Sequence, residues 1–187
     1  REGIKTPSAV QYVARAGHIK KYYGTYRILK VILSYDYLWI NLRVKGGAYG
    51  CMSGFKRNGE SFLVSYRDPH LKRTLEVYQG VPDYIRAFEA DEREMTKYII
   101  GTISNKDVPR TPQMQGSISK TAYFSNVTED MLQKERNQIL GAQKEDIQKL
   151  AALVEAVLSD DQICVVGSET AIEKAEDVFM EVKPLIG

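Results

Sequence analysis

Arg43 and Tyr49 are the residues whose types and spacing point most directly to chemistry. They bracket the stretch "NLRVKGGAYG", residues 41 to 50, with Gly46, Gly47 and Ala48 between them. If Arg43 closes a helix and Tyr49 opens a strand, the glycines leave open space between a guanidinium and a phenol. Two such donors could hold a peptide carbonyl and stabilise the oxyanion formed as water adds to it. A phosphate-cradling loop needs a strand before the glycines and a helix after them, and the order here is the reverse. The plain alternative is a helix stop, with Gly46 or Gly47 left-handed, a surface arginine favoured by the helix dipole and a half-buried strand tyrosine.

Little else in the chain offers catalysis. Its two histidines, His18 and His70, belong to neither H-E-x-x-H nor H-x-x-E-H, and no G-x-S-x-G elbow is present. Cys51 and Cys164 match no metal or redox spacing and read as buried free thiols in a reducing compartment. Acidic runs such as "EADERE" (89–94) read as solvated helix faces. A net charge of +2 calls for neither nucleic acid nor an anionic membrane as partner, and the longest apolar runs fall short of the ~20 residues a span needs. Alone, the chain reads as lacking enzymatic activity. Beginning at Arg1 with no signal peptide, it reads as one domain, residues 1–187, cut from a longer polypeptide.

The elements that would position Arg43 and Tyr49 follow from periodicity. A strand is expected over 8–17. A helix is expected from Tyr22 to about Leu42, with a kink or join at Asp36 and with Leu38, Trp39 and Leu42 in the core. "YGCMSGFKRNGESFLVSYRD" (49–68) predicts a hairpin turning at Asn58-Gly59, with Asp68-Pro69 then starting a helix that breaks near Gly80 and Pro82. Asp91 and Glu94 form a capping-box pattern, and Thr111-Pro112 opens a further helix. Residues 128–158 predict two helices meeting near Gly141. A buried strand at 161–168 and a last helix at 169–182 complete an α+β sandwich, with helices on one face of a mainly antiparallel sheet.

Beyond these readings, "LWINLRVKGGAYG", followed by a strand and then "SYRDPHLKRTLEVYQGVPDYI", resembles the C-terminal part of the insulinase-like (pitrilysin, M16) zinc metallopeptidases, most of all the presequence-protease branch. The likeness runs through most of the chain, and its most specific part is the R-V-x-G-G-A-Y-G block. The resemblance implies four related α+β domains in two halves that close around unfolded peptides. It places the zinc site, with its inverted H-x-x-E-H motif, in the N-terminal half of the same polypeptide, so this chain would bind no metal itself. It assigns Arg43 and Tyr49 to contacts with the substrate carbonyl and Gly46, Gly47 and Ala48 to substrate binding. The partners implied are the N-terminal half and unstructured peptides. The compartment implied is the cytoplasm, or alternatively an organelle matrix. The same family also contains non-catalytic subunits, so an interaction or peptide-binding module is the alternative reading.

Overall fold

Period-two burial marks the strands. In the computed structural model, which describes residues 1–185, Ser61, Leu63 and Ser65 are buried along β4 (Glu60–Asp68), while Phe62, Val64 and Tyr66 are only partly covered. The same alternation runs through β2 (Gln11–His18) and β5 (Gln162–Ser168), with Val13, Arg15, Ile163 and Val165 inward. With β1 (Glu2–Thr6), β3 (Gly50–Phe55) and β6 (Glu181–Pro184) these form a six-stranded sheet in the order β3-β4-β2-β5-β1-β6. The three pairings from β3 to β5 are antiparallel, whereas β1 lies parallel to both β5 and β6. The sheet is therefore mixed, with antiparallel pairing at the end that carries the site.

Helices cover the buried face. α1 (Thr25–Ile32) inserts Tyr26, Ile28, Leu29 and Ile32 into the core. After it come α2 (Lys72–Gln79) and α3 (Val81–Arg86), hinged at Gly80 as expected, then α4 (Glu92–Lys106), whose Asp91–Glu94 capping box forms in full. α5 (Pro112–Phe124) is capped by the Thr111 hydroxyl, which accepts from the Met114 N–H, and it buries none of its residues. α6 (Glu129–Leu140) ends at Gly141. α7 (Lys144–Gln148), α8 (Leu150–Ser159) and α9 (Glu169–Glu173) complete the set. One cluster of buried apolar residues joins α1, α8 and the inward rows of the sheet.

Several elements differ from the sequence reading. Strand β1 had no counterpart in that reading, and the strand expected over 8–17 is β2, shifted towards the C-terminus. The helix expected to kink at Asp36 instead runs on to Val44 through two π-helical segments, Leu33–Tyr37 and Trp39–Val44. A hydrogen bond from the Asn41 side chain to the Tyr37 carbonyl occupies the acceptor that an α-turn would give to the Asn41 N–H. The widened turn also puts Leu33 and Leu38, five residues apart, both in the core. Asp68 does not cap a helix: it ends β4, and its carboxylate accepts from the His70 N–H and the Thr74 hydroxyl, with α2 starting only at Lys72. Residues 128–158 hold three helices, not two. The helix expected over 169–182 stops at Glu173, passes through one 3-10 turn (Glu176–Val178) and becomes β6.

One buried carboxylate ties the helical layer to the hairpin. Glu135 of α6 is almost completely buried and pairs with Arg27 of α1 at 2.7 Å, Lys106 of α4 at 2.7 Å and Arg57 of the β3–β4 turn at 2.5 Å. Burial alone would push its pKa up, but the hydrogen bond from Lys106 and the three positive charges reverse that and hold it below the usual carboxylate range. Removing the carboxylate strands three cations, and all three retain some exposure. Glu135→Ala should therefore cost about 3 kcal/mol in urea unfolding, the low end for a broken buried pair. Because the folded pKa is depressed, this stabilisation is complete above the unfolded value of about 4.3 and is lost as pH falls through the lower folded value. The stability gap between the native chain and Glu135→Gln should accordingly narrow on going from pH 7 to pH 3, as measured by urea melts at each pH.

Candidate functional site

The π-helical end and the start of β3 build the site together. Leu42 and Ala48 are buried and anchor the two sides of the turn. Between them Gly47 adopts φ +79, the left-handed conformation that a side chain makes costly. A Cβ on Gly46 would lie 2.5 Å from the Leu42 carbonyl oxygen. Gly47 N–H donates to Arg43 O at 3.1 Å and Ala48 N–H to Leu42 O at 2.9 Å. These two bonds follow the glycine-terminated helix-end pattern, one residue wider because the last turn is π-helical. Of the two glycines the sequence offered for the left-handed position, Gly47 takes it.

The turn brings Arg43 and Tyr49 together. Arg43 is half-buried, and its Nη1 donates to Ala48 O at 2.9 Å, which holds the guanidinium against the loop. Its Cζ lies 5.5 Å from the centre of the Tyr49 ring. Tyr49 is 56% exposed, and no hydrogen bond among the described residues engages its hydroxyl. The Tyr49 ring also packs at 60° to Tyr66, with centroids 5.6 Å apart. Tyr66 in turn lies over Gly50, where a Cβ would come within 2.5 Å of its ring. Gly46 is half-buried, Gly47 exposed and Ala48 buried, so of this trio Ala48 turns only its carbonyl to the site, and that carbonyl is already engaged by Arg43.

Two neighbours escaped the sequence reading. Trp39, expected in the core, is 44% exposed and lies with its ring 5.9 Å from the Arg43 guanidinium. Arg67, at the end of β4, places its guanidinium 5.6 Å from the Tyr49 ring centre. Its position in the phase of β4 carried a signal, since a charged residue falls where the alternation of Ser61, Leu63 and Ser65 would point inward. The remaining candidates lie elsewhere. Cys51 and Cys164 are half-buried free thiols, with Cys51 pushed up to about 11 mainly by burial and further by the charge of Asp68. Among the described residues no group of three or more His, Cys, Asp and Glu could hold a metal ion, and no helix is long and apolar enough to cross a membrane. The side chains of the described residues therefore do not fit a zinc site.

Comparison with known proteins gives this geometry a family. Residues 1–169 match the family model described as the PreP C-terminal domain. The chain is 48% identical to "Protein HypA" of Clostridium perfringens, over 99% of its own length and 19% of that protein's. It is 33% identical to "Presequence protease 1, chloroplastic/mitochondrial" of Arabidopsis thaliana, over 97% of this chain and 18% of that one. The chain thus spans about a fifth of the length of these relatives. Among solved structures, the peptidase M16 inactive domain from Pseudomonas fluorescens superposes with a TM-score of 0.64 at 17% identity, covering all of this chain and 43% of that one. Pitrilysin gives 0.59 at 18% identity, covering 88% and 19%. At those identities the structures speak for the fold alone, and they agree with the expected sandwich. By the family model and the two relatives, the chain belongs to the PreP C-terminal domain family.

Proposed function

We propose that this chain is the C-terminal domain of a zinc metallo-endopeptidase that degrades short unstructured peptides, and that it supplies half of a composite site. The observation that carries the reading is the pairing of Arg43 and Tyr49 across a glycine turn, with the Tyr49 hydroxyl unengaged among the described residues and exposed to an incoming chain. In this reading residues 1–187 act as one domain. The zinc ligands belong to the N-terminal half of the same polypeptide, and the parent works in the cytoplasm or an organelle matrix.

The role of each residue follows from its donors. The Tyr49 phenol is a neutral donor, and the Arg43 guanidinium carries five N–H groups in a fixed plane. One Arg43 nitrogen is used on Ala48 O, which orients the plane while leaving other donors for a substrate carbonyl. As negative charge develops on that oxygen, both donors strengthen without having to reorganise. Gly46 and Gly47 present no side chain between them, so an extended peptide can approach the backbone of the turn.

Tyr49→Phe is the clean test, because it removes one hydroxyl and keeps the ring that packs on Tyr66. In the full-length enzyme it should lower kcat by roughly 10²–10³, as removal of other oxyanion donors does, with the unfolding temperature unchanged. A kcat within a factor of two of the parent would defeat the assignment. Arg43→Ala should be as severe, but it also removes the bond to Ala48 O, so it needs a stability measurement alongside.

Cleavage of an unstructured fluorogenic peptide should be abolished by a zinc chelator in the parent and be absent from the isolated chain. A well-folded parent that binds such peptides without cutting them would favour the alternative, a non-catalytic interaction or peptide-binding module.

A further inference from the structure

Strand β4 carries one residue too many, and the extra residue serves the site. Opposite β2, Gln11 pairs with Asp68 and Val13 with Ser65, so Tyr66 and Arg67 together face the single residue Tyr12. This is a β-bulge, a device that re-aims a side chain. Strict alternation after Ser61, Leu63 and Ser65 would turn Arg67 into the core. The bulge instead leaves Arg67 exposed and lets Asp68 take the buried position. It does so with Arg67 at φ +48, a left-handed conformation uncommon for a residue other than glycine, asparagine or aspartate. The Arg67 carbonyl accepts the Tyr49 N–H at 3.2 Å, and its guanidinium sits 5.6 Å from the Tyr49 ring centre. No ion pair or side-chain hydrogen bond among the described residues gives that guanidinium another occupation.

We infer that Arg67 is a positioning residue for the proposed reaction: the β4 bulge aims its guanidinium at the Tyr49 ring, and with Arg43 it fixes the direction of the phenol. The inference rests on the role proposed for Tyr49. A ring flanked by two guanidiniums and edged by Tyr66 has few orientations left, although each contact is weak. Partly exposed cation–π contacts add little to stability. Small misplacements of a catalytic donor nevertheless cost far more in rate than in stability.

The experiment uses the full-length enzyme with an unstructured fluorogenic peptide. Asparagine tolerates the left-handed conformation, so Arg67→Asn removes the guanidinium and keeps the bulge. It should lower kcat about tenfold with KM and unfolding temperature little changed, and Arg67→Lys, which restores a cation, should recover most of the loss. Because Arg67 acts through the Tyr49 ring, Arg67→Asn should have no further effect in a Tyr49→Ala background.

Three results would overturn the inference. They are Arg67→Asn within a factor of two of the parent, a loss in Arg67→Lys equal to that in Arg67→Asn, or an undiminished loss when Tyr49 is already alanine. If Tyr49→Phe itself leaves kcat unchanged, the function proposed for Tyr49 fails instead. If Arg67→Asn does not fold, Arg67→Gly, which suits the same backbone conformation, carries the identical comparison.

Discussion

The left-handed turn at Gly47 is the constraint on which the site depends. The π-helical end delivers Arg43 at one height, and Tyr49 must sit immediately before the strand that begins at Gly50. Five residues have to connect Arg43 to Tyr49 while Leu42 and Ala48 stay buried. Backbone hydrogen bonds hold this arrangement: Gly47 to Arg43, Ala48 to Leu42 and Tyr49 to Arg67. Each contributes about 1 kcal/mol net, and the burial of Leu42 adds roughly 1.5–3 kcal/mol more. The cation–π contacts, at about 0.5–1 kcal/mol each, are too weak to have set the geometry. They tune the side chains of a loop that its backbone has already placed.

Away from the site some cations are neutralised: three gather on Glu135, Arg136 pairs with Asp107, and Lys144 with Glu89, while others, such as Lys20, Lys97 and Lys120, have no ion pair among the described residues. Arg43, Lys45 and Arg67 take part in no ion pair among the described residues. A carboxylate beside them would neutralise the field in the ground state and weaken it for any oxygen that becomes negative later. Leaving the cations bare costs little at a solvated surface, where ion pairs are worth about 0–1 kcal/mol. Under the proposed reading it preserves the field for a bound substrate.

How much of this the sequence disclosed depended on how local the determining interaction was. Asn58-Gly59, Asp91 with Glu94, Thr111-Pro112 and Gly80 act within three or four residues, and each formed as expected. β6 forms one edge of the sheet with β1 next to it, and both are defined by parallel partners far away in sequence, so no short pattern announced them. The apolar spacing of Ile172, Ala175, Val178 and Phe179 suggested one helix, and all four side chains do reach the core. They reach it through a helical turn, a 3-10 turn and a return to the sheet, because a contact pattern does not specify the backbone path that satisfies it. Arg43, Tyr49 and the glycines were legible because the turn gathers them into seven consecutive residues. For Arg67 the phase of β4 showed only that the alternation must break, and its place at the site is set by register across β2 and β4.

Exposure bears directly on what these residues can do. A hydrogen bond offered to a substrate in open water mostly replaces one already made to water, so two donors on a bare surface gain about 1 kcal/mol each. The same donors become far stronger where water is excluded and the local dielectric falls. Tyr49 stands more than half exposed in this chain, and Trp39 beside Arg43 nearly so. An aromatic pair with two guanidiniums, left open, is poorly used alone and well suited to being covered. Under the proposed reading the covering surface is the N-terminal half with the peptide held between. Closure would then raise the strength of Arg43 and Tyr49 at the moment the carbonyl oxygen becomes negative, so the two halves would be effective only together.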